Sequence, residues 1–231
     1  MQYKNARGQT LEEFLSKYDA SLYQHPSVTV DIAVFTLLGD ELGVLLIERR
    51  DHPCIFEWAL PGGFLEIDEE ASSAAARELY EETTVKGLPI REFGVFSKVG
   101  RDPRTRNISL AHLAIAPSDI LSPKAADDAK AAELFLVHTN NKSGKLYVSL
   151  SSCKSNDIEL RYTANITHDA FSGYAVNAEK GDLAFDHSLI LTHALISLLS
   201  IDRDTVLSML APHDIHCASR ALSKISEDIH G

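Results

Sequence analysis

The sequence predicts an α/β fold in which helices cover a mixed β-sheet. Two apolar runs separated by a turn, residues 28–38 and 44–47, have the composition of a β-hairpin. A segment dense in Ala, Leu, Glu and Arg, residues 68–83, has the composition of a helix. Further strand-like runs follow that helix, which indicates strands and helices mixed along one chain.

The elements before this helix follow from local signals. Thr10 and Glu13 have the spacing of a capping box, and apolar residues at helical intervals follow, which predicts a short N-terminal helix. The hairpin comes next. Residues 58–60 then predict a strand that runs into Pro61-Gly62-Gly63, a loop in which the backbone has unusual freedom.

The helix over residues 68–83 is predicted to start at Asp68. An aspartate is a favourable N-cap, and Glu69 and Glu70 would then lie in the first turn, where the helix dipole stabilises negative charge. After the helix, residues 92–98 and 108–115 are predicted strands, separated by a polar loop.

The pattern of apolar residues changes twice in the second half of the chain. Short apolar runs at 134–138, 146–150 and 158–162, separated by Asn, Ser, Gly and Lys, predict a β-meander. Asp186 is then predicted to cap an apolar helix over 187–199, and two weaker helical patterns follow. We therefore divide the chain into three parts: an N-terminal helix (1–25), a central domain (26–185) with a divergent insertion at about 139–180, and a helical extension (186–231).

Charge and hydropathy exclude several partners. The chain has 33 acidic and 22 basic residues, a formal net charge of −11, which repels nucleic acid. The first residues have no apolar core, and no stretch reaches about 18 apolar residues, so neither a signal peptide nor a membrane span is expected. We expect a cytoplasmic protein whose partner is a small molecule.

Three carboxylates carry the strongest chemical signal. Glu78, Glu81 and Glu82 are three and four residues apart, so on a helix they share one face, where like charges repel by about a few tenths of a kcal/mol per pair. Oxygen ligands of this kind suit Mg²⁺, which binds a few carboxylates together with phosphate oxygens. Alone, such a segment is also typical of a solvated charged face.

The wider pattern resembles the Nudix box. Gly63, Glu69, Arg77-Glu78 and Glu81-Glu82 have the spacing of that motif, which extends over residues 63–85. The resemblance implies a Nudix α/β/α sandwich with a mixed sheet, here with an inserted β-meander and a C-terminal helical extension. It also implies catalysis that depends on Mg²⁺ or Mn²⁺.

The resemblance assigns roles within the box. It makes Glu78, Glu81 and Glu82 metal ligands, with the Gly63 carbonyl as a further candidate. Arg77 and Glu69 resemble the pair that stabilises the loop against the helix, next to Gly62. Glu66 occupies a position that is often acidic in the family, and the sequence leaves open whether it is a ligand or simply exposed.

One position departs from the motif. Thr84 replaces the family's glycine near the end of the helix, and a β-branched residue is poorly suited to a left-handed helix terminus. No metal ligand is lost by this change. We therefore expect altered geometry rather than loss of activity.

The implied reaction is in-line attack of water on one phosphorus of a pyrophosphate. The general base is either a glutamate of the box or an acidic residue on a distant loop. The loop candidates are Asp127, Asp128 and Glu133, each of which also suits helix capping or solvation.

Other segments indicate which subgroup of this family the chain resembles. Residues 26–32, 58–64, 101–104 and 183–187 are similar to the subgroup of ADP-ribose pyrophosphatases and Nudix-related regulators of NAD metabolism. This similarity implies hydrolysis of ADP-ribose to AMP and ribose 5-phosphate, and a homodimer. His187 follows Asp186 and suits capping and packing better than catalysis.

The candidate substrate-binding residues are mostly arginines. Guanidinium groups suit phosphate recognition, but Arg101 and Arg104 also fit a solvated turn, and one of Arg49 and Arg50 must face away along its strand. The expected substrate contacts are Arg49, Arg50, Phe64, Arg101 and Arg104.

Two alternatives remain from other functional classes. The regulators carry a winged-helix DNA-binding domain, whereas residues 186–231 contain three basic and six acidic residues, which disfavours DNA contact. The other alternative is a catalytically weak module that binds ADP-ribose as a signal, and Thr84 is the feature that supports it.

Overall fold

One mixed sheet organises the protein. The computed structural model describes residues 3–121 and 129–230. Within them the strands are β1 (Ser27–Leu38), β2 (Glu41–Arg49), β3 (Trp58–Ala59), β4 (Gly62–Phe64), β5 (Ile90–Phe96), β6 (Asn107–Ile115), β7 (Ala129–Lys142), β8 (Lys145–Ser152), β9 (Glu159–Asp169) and β10 (Gly173–Ala178). Eight follow the order β10-β9-β8-β7-β2-β1-β6-β5, while β3 pairs with β2 and β4 with β1. β1 and β6 are parallel and the other paired strands are antiparallel, so the sheet is mixed, as predicted.

Helices cover both faces of this sheet. They are α1 (Leu11–Leu15), α2 (Ala71–Thr83), α3 (His187–Ser200), α4 (Arg203–Ser208) and α5 (Ile215–His230). Successive side chains of β1 point to opposite faces: Val30, Ile32 and Val34 pack in one core cluster with α2. Phe35 and Leu37 pack in the other, with α3 and α5. The predicted α/β/α architecture is thus confirmed.

The two termini of α2 differ from the prediction. The helix begins at Ala71 with Glu70 as N-cap and no side-chain capping bond, so the expected N-cap at Asp68 is wrong. The preceding loop is longer because the Glu69 carboxylate is bonded to Arg77 rather than to the helix terminus. At the other end Thr84 adopts φ 63°, so this threonine takes the left-handed conformation that usually favours glycine.

The meander is longer than its apolar runs indicated. β7 pairs with β2, so β7 to β10 continue the main sheet, and β10 adds a strand that the sequence did not indicate. Strand β5 begins at Ile90 and ends at Phe96, two residues earlier than expected at each end. The capping box of Thr10 and Glu13 is present in α1, whose residues are all exposed.

Within the described ranges, no helix has the length and apolar character needed to cross a bilayer.

Candidate active site

Helix α2 presents its carboxylates to a single loop. Ala74, Ala75 and Leu79 are buried and fix one face of α2 against the sheet. Glu78 and Glu82 lie one and two turns after Ala74, at the edge of this buried face. Glu82 is only 7% exposed, and its Oε2 accepts a 2.8 Å hydrogen bond from the Gly62 N–H. The helix and β4 are therefore joined directly through this carboxylate.

The two glycines of β4 allow this close approach. A Cβ atom at Gly63 would lie 2.3 Å from Oε1 of Glu78. A Cβ atom at Gly62 would lie 2.1 Å from the Val30 carbonyl oxygen, since β4 pairs with β1 at that point. Both positions therefore require glycine, because a larger residue would displace either the strand or the carboxylate.

Arg77 links the loop to the carboxylate face. Its Nε and Nη2 donate to both oxygens of Glu69 at 3.0 and 2.8 Å, and Nη2 also donates to the Phe64 carbonyl at 3.0 Å. Its Nη1 donates to Glu78 at 2.8 Å and to Glu81 at 3.0 Å. One guanidinium therefore holds the loop between β4 and α2 while neutralising part of the carboxylate charge.

The electrostatics of the face favour an added cation. The pKa of Glu82 is raised to about 8, mainly by burial and to a smaller extent by the nearby Glu78 carboxylate, while the Gly62 hydrogen bond opposes the shift. Burial likewise raises the pKa of Glu78, against the effect of Arg77. Because the charged forms of both carboxyl groups are poorly solvated, a cation bound beside them would stabilise their ionised forms.

The donor set fits the expected Mg²⁺ in its chemistry. Among residues 3–121 and 129–230, no three His, Cys, Asp or Glu side chains are already arranged to hold a metal ion. The Nη1 of Arg77 donates to both Glu78 and Glu81. Hard oxygen donors at partly buried positions suit Mg²⁺ once these two carboxylates turn away from the guanidinium. The residues that would hold the ion are Glu78, Glu81, Glu82 and the carbonyl of Gly63.

A cavity of about 400 Å³ opens in front of these carboxylates. Its walls combine cationic and aromatic groups. The Arg104 guanidinium lies 5.3 Å from the centre of the Phe64 ring, and the Arg49 guanidinium lies 4.9 Å from the centre of the Phe185 ring. Arg50 and Glu66 also line the cavity. The volume lies in the range of small-molecule sites, and its cationic rim matches a phosphorylated ligand.

Arg101 lines the same cavity but has another partner. Its side chain is 4% exposed and donates through Nε and Nη2 to both oxygens of Asp186, at 2.9 and 2.7 Å. Asp186 is the N-cap residue of α3, as predicted, but its side chain makes no capping bond and its carboxylate forms this ion pair instead. Arg101 is thus paired with Asp186 at the cavity wall, and the expected substrate contacts Arg49, Arg50, Phe64, Arg101 and Arg104, which all line the cavity, remain proposals.

Of the three candidate distant bases, the structure describes Glu133. Glu133 is buried in β7, where it accepts hydrogen bonds from the Ser152 hydroxyl and from the Lys154 N–H, and it is not part of the cavity wall. Asp127 and Asp128 lie outside the described residues. Among the described candidates, the glutamates of α2 alone lie at the site.

Several residues of the cavity were not identified as candidate site residues from the sequence. Asp31 is 7% exposed on β1, opposite Gly62 in the strand register. Asp102 is 5% exposed and pairs with Arg104 at 2.8 Å. An aspartate inside an otherwise apolar strand was the available signal for Asp31, because a buried charge requires partners. No local pattern marked Phe185.

Comparisons with known proteins agree with this geometry. In sequence, the chain is 29% identical over 207 residues to the ADPR responsive transcriptional repressor NtrR of Acinetobacter baylyi, covering 87% of this chain and 66% of that protein. It is 40% identical over 121 residues to the ADP-ribose pyrophosphatase of Methanocaldococcus jannaschii, covering 52% of this chain and 67% of that protein. The chain thus spans about two thirds of the length of these two relatives.

Comparison with solved structures and with protein families agrees with the sequence relatives. A MutT/nudix family protein from Enterococcus faecalis superposes with a TM-score of 0.66 at 27% identity, covering 96% of this chain and 88% of that one. The NUDIX domain family matches residues 28–147, more than half of the 231 residues. This matched range contains the glycine pair of β4, the carboxylates of α2 and Arg77. The chain therefore belongs to the Nudix family.

Proposed function

We propose that this protein hydrolyses the pyrophosphate bond of a nucleoside diphosphate derivative with Mg²⁺ or Mn²⁺, and that ADP-ribose is its substrate, yielding AMP and ribose 5-phosphate. The observation that carries the proposal is the buried Glu82 carboxylate, held by the Gly62 N–H beside Glu78 at the cavity. The relative named ADP-ribose pyrophosphatase supports the choice of substrate.

In this proposal, separate residues bind the substrate and hold the loop beside α2. The guanidinium groups of Arg49 and Arg104 are placed to bind the diphosphate, and the Phe64 ring, 44% exposed, offers an apolar surface beside Arg104. Arg77 keeps the loop closed against α2 through Glu69. When bound, the divalent cation supplies positive charge at the phosphate and activates the attacking water.

A glutamate of α2 is the proposed general base. Glu78, Glu81 and Glu82 all line the cavity, whereas Glu133 does not, so the box glutamates are the described base candidates that could reach the attacking water. The water oxygen bonds to one phosphorus while the glutamate accepts a proton from the water; the bond from this phosphorus to the bridging oxygen breaks, and the other phosphate leaves with that oxygen.

A substrate panel tests the proposal directly. ADP-ribose, NADH, ADP-glucose, diadenosine polyphosphates and oxidised nucleoside triphosphates are incubated with Mg²⁺ or Mn²⁺, and products are separated by chromatography. ADP-ribose is expected to have the highest kcat/KM. Glu82→Gln should lose at least ~100-fold in kcat, since it removes a charged cation ligand.

The matched control is Glu70→Gln. Glu70 is exposed at the start of the same helix and its side chain makes no capping bond. This variant should retain wild-type turnover. Full activity in Glu82→Gln, or no cleavage of any substrate by the wild type, would contradict the proposal.

A second function follows from one comparison. The relative named as an ADPR responsive transcriptional repressor aligns with 87% of this chain, so an ADP-ribose-sensing regulator is the alternative. Gel-shift assays with promoter-length DNA, with and without ADP-ribose, separate the two. Specific DNA binding released by ADP-ribose, together with no hydrolysis, would favour the regulator.

A further inference from the structure

Leu60 lies where the chain changes strand partners. β3 pairs with β2 through Trp58 and Ala59, whereas β4 pairs with β1 from Gly62 onward. Leu60 and Pro61 form the crossover, and the Pro61 carbonyl accepts a 2.8 Å bond from the Ile32 N–H. The position of the Gly62 N–H, and with it the Glu82 carboxylate, depends on how this crossover is fixed.

A side chain, not a backbone group, accepts the hydrogen bond from the crossover. The Leu60 N–H donates to Nδ1 of His187 at 2.9 Å, a contact between residues 127 positions apart. The segment before α3 runs parallel to β3, with the Ala184 N–H bonded to the Trp58 carbonyl at 2.8 Å. In a parallel ladder the next acceptor for Leu60 would be the Ala184 carbonyl. That carbonyl instead accepts from the His187 N–H at 3.0 Å, so the imidazole takes its place.

The same imidazole also faces the strand neighbour of Gly62. Its Nε2 lies 3.5 Å from Oδ1 of Asp31, and Asp31 is opposite Gly62 in the pairing of β1 with β4. Asp31 is held from its other side by the Ser109 hydroxyl and by Arg101, whose Nη2 lies 3.6 Å away. His187 therefore contacts both strands that determine where Gly62 lies.

The protonation state of His187 agrees with this role. Nδ1 accepts a hydrogen bond, so the proton belongs on Nε2, toward the Asp31 carboxylate. Burial lowers the pKa of His187, which keeps the ring neutral near pH 7. A neutral ring with fixed orientation is a suitable anchor for a backbone N–H.

We infer that His187 is a positioning residue for the active site: through the Leu60 N–H and Asp31 it fixes the β3–β4 crossover, and thereby the Gly62 N–H that orients Glu82. His187 reaches the Glu82 carboxylate only indirectly, through the Leu60 N–H, the chain to Gly62 and the Gly62 N–H. It is not itself a proposed cation ligand. The expected effect of His187 on turnover rests on the proposed function. Its expected effect on the position of the β3–β4 crossover does not.

Three variants test it. His187→Asn places an oxygen where Nδ1 lies and retains an acceptor for the Leu60 N–H, whereas His187→Leu fills similar space without one. Ile190→Val is the control: Ile190 is fully buried on α3 and its side chain is apolar, so this variant destabilises the helix without touching the crossover.

Amide hydrogen exchange gives a readout that does not depend on activity. In His187→Leu the Leu60 and Gly62 amides should exchange about tenfold faster than in wild type, since one buried hydrogen bond is lost. They should remain near wild type in His187→Asn and in Ile190→Val. Equal protection of these amides in His187→Leu and wild type would overturn the inference.

Turnover and Mn²⁺ affinity supply the functional readout. His187→Leu should lose about 10- to 100-fold in kcat or in Mn²⁺ affinity measured by electron paramagnetic resonance, with KM for ADP-ribose within about twofold of wild type. His187→Asn should recover most of the loss. A loss of the same size in Ile190→Val would mean that general destabilisation is responsible, which also overturns the inference.

The two proposals fail separately. If the wild type neither binds Mn²⁺ nor cleaves ADP-ribose, the proposed function fails, while faster exchange at Gly62 in His187→Leu still supports the positioning role. If the wild type is active and the exchange of Gly62 is unaffected by His187→Leu, the positioning role fails alone.

Discussion

Substitution of Gly63 by alanine isolates the geometry of the carboxylate face. The new Cβ would lie 2.3 Å from Oε1 and 2.4 Å from Oε2 of Glu78. Non-bonded heavy atoms need roughly 3.5 Å, so the carboxylate must move by roughly 1 Å. The end of a glutamate side chain rotates easily, and we expect the free energy of unfolding to change by less than about 1 kcal/mol.

Activity should respond much more strongly than stability. Displacement of a catalytic group by about 1 Å costs about 100-fold in rate, equivalent to about 2.7 kcal/mol in the activation free energy. The assay is kcat for ADP-ribose hydrolysis at saturating Mg²⁺, together with urea unfolding of the same preparation.

Gly94→Ala is the control for this substitution. Gly94 also lies in a strand, but its added Cβ would meet only the Phe96 ring, at an ordinary contact distance of 3.4 Å. It should leave kcat unchanged. The reasoning is refuted if Gly63→Ala turns over at the wild-type rate, or if its loss of activity is matched by a comparable loss of folded protein.

Two further predictions concern titratable groups of α3 and its N-cap residue. Asp186→Asn should destabilise the fold by about 3 kcal/mol in urea unfolding, since it removes the charge partner of the buried Arg101, whereas Asp182→Asn at an exposed position should cost less than about 1 kcal/mol. A small effect of Asp186→Asn would show that Asp31 suffices as the partner. Burial lowers the pKa of His193 below its ordinary value of 6.5, so the unfolded chain binds this proton more readily and His193 reduces stability as the pH falls below about 6.5. His193→Phe should therefore gain stability relative to wild type between pH 7.5 and pH 5.5, and a difference that does not change with pH would contradict this account.

The part of the site that was predictable is local in sequence. Glu78, Glu81 and Glu82 share a helix face because of their spacing, and α2 was identifiable from its composition. The hairpin of β1 and β2 followed from its turn residues in the same way. Such features need no knowledge of which distant segments meet.

The part that was missed depends on long-range pairing. The ion pair of Arg101 was not predicted, because an exposed loop arginine and a buried one look alike in sequence. Its partner Asp186 is 85 residues away. His187 was interpreted as a cap or packing residue, and its bond to Leu60 becomes visible only when α3 is placed beside β3. The start of α2 was placed too early because Glu69 is used by Arg77, a tertiary contact that outweighs local helix propensity.

Calorimetric titration of chelator-treated protein with Mg²⁺, with and without ADP-ribose, tests most directly whether the carboxylates of α2 hold a divalent cation beside a diphosphate. We predict saturable uptake by the wild type that strengthens with ADP-ribose and weakens at least tenfold in Glu82→Gln. No uptake of the ion under either condition would contradict the account.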